Sequence, residues 1–92
     1  MITTIYHASA HGSPELADML GRDAAVMSEF EIEVQGIRGP AVASGSSNYD
    51  VWDEWAEFHD YQAAVKFEKA LRKILARFEA KAREWHAQQG ED

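Results

Sequence analysis

The chain has 92 residues, nine Lys and Arg against 16 Asp and Glu, a formal net charge of −7 and no cysteine. That length holds one small domain, and a domain of this size buries only about 60% of the surface its unfolded chain exposes. Without cysteine, disulfide staples, Cys-based zinc sites and thiol chemistry are excluded together, and the acidic balance argues against a broad nucleic-acid-binding face, which needs many Lys and Arg against phosphates.

Met1-Ile2-Thr3-Thr4-Ile5-Tyr6-His7-Ala8-Ser9 is rich in β-branched and aromatic residues and predicts a strand over about 2–8. His11-Gly12-Ser13-Pro14 then turns into a helix, with Ser13 as the capping residue, Pro14 in the first turn and Glu15 and Asp18 near the positive end. Leu16, Met19 and Leu20 supply its apolar stripe, and Gly21 leaves its end open, near 20 or near 27. In Phe30-Glu31-Ile32-Glu33-Val34-Gln35 the apolar residues alternate with Glu and Gln, the period of a strand with one wet face. Gly36–Pro40 supplies turn residues, so Ala41-Val42-Ala43 is expected to return as the second strand of a hairpin, with Ser44–Asn48 as a loop.

From about Tyr49 to Gln88 there is no Gly or Pro, and good helix formers dominate. Ala64, Phe67, Leu71, Ile74, Leu75, Phe78, Ala82 and Trp85 fall on one helical face. A single helix of that span would be about 60 Å long, twice the diameter of a globule this size. It therefore breaks, most readily around His59-Asp60-Tyr61-Gln62, or its far end packs on a partner. The stripe residues Phe67, Leu71, Ile74, Phe78 and Trp85 are accordingly candidates for self-association, as a dimer. The fold class predicted is α+β: a strand, a short helix, a hairpin and a long amphipathic helix.

Charge is unevenly placed. Residues 1–49 carry a net −4; residues 50–60 carry Asp50, Asp53, Glu54, Glu57 and Asp60 with no base. Residues 66–83 reverse the sign, with seven bases against Glu68 and Glu79. On a helix, part of this polarity complements the macrodipole, with Glu68–Arg72 and Glu79–Arg83 as i, i+4 pairs. The macrodipole fades within a turn, whereas the acidic block runs for three. Asp50, Asp53, Glu54, Glu57 and Asp60, interleaved with Trp52 and Trp55, are therefore candidates for binding a protein with a basic surface, the rings giving buried area and the acids steering.

His7 and His11 have the i, i+4 spacing that chelates a metal on a helix, but they fall in a strand-to-turn segment and read as surface histidines. There is no G-x-S-x-G elbow and no P-loop lysine, so no catalytic residue, metal or cofactor is expected. No apolar run approaches the about 20 residues of a membrane span, and the first residues lack the marks of a signal peptide, which predicts a cytoplasmic domain.

Two resemblances add to this reading. Ile5-Tyr6-His7-Ala8-Ser9 resembles the first-strand motif of ADP-ribosyltransferase-type folds, with Ala8 where glycine is usual; this implies a histidine beside an NAD ribose. The size, acidity and lack of cysteine, with Ala43-Ser44-Gly45-Ser46-Ser47-Asn48-Tyr49 leading into the acidic segment, resemble small phage-encoded anti-CRISPR proteins. That resemblance implies an inhibitor in the host cytoplasm that binds a defence complex through acidic residues. The preferred expectation is thus a non-enzymatic protein-binding module. The alternatives are a self-associating assembly subunit and an ADP-ribosyltransferase-like fragment.

Overall fold

Three short polar side chains set where the helices begin. In the computed structural model of the chain, which describes residues 3–90, Ser13, Asp23 and Asp60 each accept a first-turn backbone N–H, from Leu16, Val26 and Ala63 at 3.1, 3.2 and 3.0 Å. Helices follow over Pro14–Arg22 (α1), Ala24–Ile37 (α2) and Tyr61–Gln89 (α3). Asp23 both ends α1 and caps α2. The strands are Tyr6–Gly12 (β1), Ala43–Asn48 (β2) and Trp52–Phe58 (β3). They form one antiparallel sheet in the order β1-β3-β2, with β3 central. The fold is α+β, with the helices gathered on one face of the sheet.

The covered face is built by alternation. Trp52, Glu54, Ala56 and Phe58 of β3 point under the helices, as do Ala8 and Ala10 of β1. Small residues on β1 let the helices come close. A Cβ on Gly12 would lie 2.3 Å from Leu16 Cδ2, so the strand end and α1 can touch only at a glycine. Phe30 of α2 sits edge-on to Trp52 and Phe78, ring centroids 5.6 and 5.2 Å away, and Phe58 meets Phe67 at 5.5 Å.

α3 buries Ala64, Phe67, Leu71, Ile74, Leu75, Phe78 and Ala82 along one face, against β1, β3, α1 and α2. Its far end docks on the same chain. Trp85 donates its indole N–H to Asp23 (3.1 Å) under the Arg22 guanidinium, and the His86 ring meets the Glu15 carbonyl (3.0 Å). Phe67, Leu71, Ile74 and Phe78, read above as a self-association stripe, are thus core residues of one chain, and Trp85 is half-buried beside them.

Several expectations need correction. The segment 30–35 is helical: Val26, Phe30 and Val34 are buried at i, i+4 spacing, while Ile32 is 68% exposed on the opposite side. The residues 44–48 expected as a loop form β2. The acidic segment opens no helix; it is β3 and its flanking turns. No helix precedes residue 60 to be broken there: α3 starts at Tyr61, capped by Asp60, directly after β3. The first strand starts and ends later than 2–8, and Met1 and Ile2 lie outside the described residues. Antiparallel α2 and α3 are joined by the ion pairs Glu29–Lys81 (2.9 Å) and Glu33–Arg77. The Arg77 hydrogen bond holds the Glu33 carboxyl below its ordinary range. Glu68 pairs with Arg72 as expected, but Glu79 turns to α1 instead of Arg83. It accepts both the Ser13 N–H (2.8 Å) and the Ser13 hydroxyl (2.7 Å).

Candidate functional site

Among the described residues, no helix lies on the other face of the sheet. Because strand side chains alternate, the antiparallel register sorts its residues into three rows across β1, β3 and β2. These are His7, Glu57 and Ala43; Ser9, Trp55 and Gly45; and His11, Asp53 and Ser47. Trp55 is at the centre, with one carboxylate two residues away on either side along β3.

Each carboxylate has an imidazole from β1. His7 Nδ1 lies 3.4 Å from Glu57 Oε2, and His11 Nδ1 contacts Asp53 Oδ1. The Ser47 hydroxyl donates to Asp53 Oδ2 from the β2 side at 3.4 Å. The His7 ring stacks beside the Trp55 indole, centroids 5.8 Å apart and planes 20° apart. These pairs are exposed, so they orient side chains more than they stabilise the fold. Ser47 bonds to the Asp53 carboxylate and not to a histidine.

Gly45 decides where the indole lies. A Cβ there would be 2.7, 2.8 and 2.9 Å from Trp55 Cζ2, Cε2 and Nε1, so the ring rests directly on the β2 backbone. Trp52 and Trp85 donate their indole N–H groups to Glu54 and Asp23; among the described residues, no hydrogen bond to the Trp55 N–H is seen.

The seven residues expected to bind a partner therefore divide. Asp53, Trp55 and Glu57 share the open face. Trp52 and Glu54 point into the core, Asp50 is exposed in the turn between β2 and β3, and Asp60 is used as the α3 cap. Glu54 is 2% exposed and accepts from Trp52 Nε1 (3.0 Å) and Arg38 Nη2 (3.5 Å). Burial pushes its carboxyl above the ordinary range against those two donors. It ties the end of α2 to the sheet and is out of reach of any partner.

His7, Ser9, His11, Gly45 and Ser47 belong to the open face and were not expected there. The available signal was the 7, 9, 11 spacing: in a strand, unlike a helix, i and i+4 histidines share a face with i+2. Among the described residues no group of three or more His, Asp or Glu could hold a metal, and no helix is long and apolar enough to cross a membrane. No family model matches the chain, and neither a curated protein nor a solved structure is similar to it.

Proposed function

We propose that the chain is a non-enzymatic protein-binding module that holds a basic partner on the open face of its sheet. The observation that carries this is the half-exposed Trp55 indole set between Asp53 and Glu57 on a face no other element covers. An aromatic face flanked by carboxylates suits an arginine or lysine side chain, which takes the ring by cation–π attraction and the acids by charge.

The anti-CRISPR resemblance adds a partner class: a nucleic-acid-handling complex in the host cytoplasm, inhibited through its basic channel. The spacing favours seizing cations over imitating phosphates. Asp53 and Glu57 are four residues apart on a strand, about 13 Å. Duplex DNA carries a charge about every 1.7 Å of its axis.

The test is a titration at low salt with a peptide of alternating Arg and Thr, and with its Glu counterpart, read by protein fluorescence with Trp55→Phe as the control for Trp52 and Trp85. The Arg peptide is expected to bind, salt-sensitively, and the variant carrying both Asp53→Lys and Glu57→Lys, checked for an unchanged thermal midpoint, is expected to lose it. Equal binding of the Glu peptide, or unchanged binding by the double variant, refutes the reading.

A further inference from the structure

We propose that the outer edge of β2 takes an extended segment of the partner as a fourth strand, one that presents cations at i and i+4 and an apolar residue at i+2. This rests on the reading of the open face as a cation-binding surface and adds how the partner is held.

β2 is terminal in the sheet, and among the described residues its backbone is joined by hydrogen bonds to β3 alone. Sheet edges are commonly guarded by lysine, proline or an inward-pointing charge. Ala43-Ser44-Gly45-Ser46-Ser47-Asn48 has none of these. An unguarded edge accepts an added strand by main-chain pairing, with side chains on alternate positions setting specificity.

The two edges of the sheet are not equivalent. At β1, His7 and His11 stand between the edge and the carboxylates, and the cleft alongside is lined by Glu68 and Lys69, of opposite charge. A cation arriving there meets imidazoles first. At β2, only Ala43, Gly45 and Ser47 separate the edge from Glu57, Trp55 and Asp53. A fourth strand would run about 10 Å from β3, within reach of an arginine laid across such small residues. Its open-face positions opposite Ala43 and Ser47 address Glu57 and Asp53, and the one between them meets the indole that Gly45 allows to lean towards this edge. The i, i+4 spacing of the cations follows from Asp53 and Glu57 being four positions apart.

The probe is the peptide acetyl-Thr-Arg-Thr-Leu-Thr-Arg-Thr-amide, with a version that places both Arg side by side and two versions N-methylated on one or the other alternate set of amides. Titration at low salt should show the parent peptide binding and the adjacent-Arg peptide binding at least about tenfold more weakly. One N-methylated peptide, and only one, should lose at least about tenfold, because only one set of amides faces β2. Amide exchange at Ser44–Ser47 should slow on binding. Gly45→Val should weaken the parent peptide, and the methylated peptides make the same test on the unaltered protein.

If both methylated peptides bind like the parent while the Asp53→Lys, Glu57→Lys variant does not, the open face binds cations but the edge is not used, and this proposal falls alone. If the parent peptide does not bind, both readings fall. If light scattering shows a dimer and the Ser44–Ser47 amides become protected with rising protein concentration, a second copy occupies the edge and the proposal is overturned.

Discussion

The placement of residues 30–35 on a helix can be tested with two substitutions of opposite expected cost. Phe30 is fully buried and touches Trp52 and Phe78 edge-on, joining α2 to both the sheet and α3. Replacing it with alanine loses the transfer energy of the ring and leaves a cavity, about 3–5 kcal/mol. Against a total of about 5–14 kcal/mol for 92 residues, that is a large share of the fold. In urea, at an m value of about 1.5 kcal/mol/M, the midpoint of Phe30→Ala should fall by about 2–3 M. Ile32 is 68% exposed, so Ile32→Ala should change stability by no more than about 0.5 kcal/mol, a shift within about 0.3 M. A strand with Phe30, Ile32 and Val34 on one buried face requires both losses to be large. Equal midpoint shifts for the two variants would refute the helical packing. Should Phe30→Ala leave no folded baseline, Phe30→Leu makes the same comparison with a smaller loss.

Two further outcomes follow from residues that join elements. The raised Glu54 carboxyl makes its contribution to folding greatest below the ordinary carboxylate range, and that contribution is lost as pH rises through the raised value. Glu54→Gln should therefore gain on the wild type in urea melts between about pH 4 and pH 7, and parallel pH profiles would contradict it. Glu79→Ala removes the acceptor for both Ser13 donors at the start of α1 and should cost about 1.5–3 kcal/mol, with Glu79→Gln milder. Hydrogen exchange should show α1 amides opening before those of α3, and uniform exchange would refute a local anchoring role.

The start of α1 was legible because a short polar cap acts locally: Ser13 bonds to the amide three residues on. The stripe from Ala64 to Ala82 needs only its own period, whereas the caps Asp23 and Asp60 do not stand out among the chain's many acids, so neither marked a helix start. The central strand was hidden by one residue. With an apolar residue in place of Glu54, β3 would have read as Trp52-x-apolar-x-Ala56-x-Phe58, a plain alternation. A carboxylate at a core position broke that pattern, and the loss was compensated by Trp52 and Arg38, a partner from a distant segment. The false strand at 30–35 arose the opposite way, from a period-2 run too short to show that Val26 and Val34 continue Phe30 at helical spacing while Ile32 is left outside.

Once β3 is a strand, the charge of −7 has a different arrangement from the one a helix would give it. A helical 50–60 segment would set five carboxylates around three turns. The strand instead sends Glu54 to the core, spends Asp60 on a cap and leaves Asp50 in a turn, so two acids remain on the open face with a tryptophan between them. The indole can lie flat there only because its neighbour across the ladder is Gly45. An acid expected to bind a partner and a glycine expected in a loop thus define the surface: an inward Glu54 that keeps the central strand anchored, and Gly45, which gives Trp55 its platform beside a free edge.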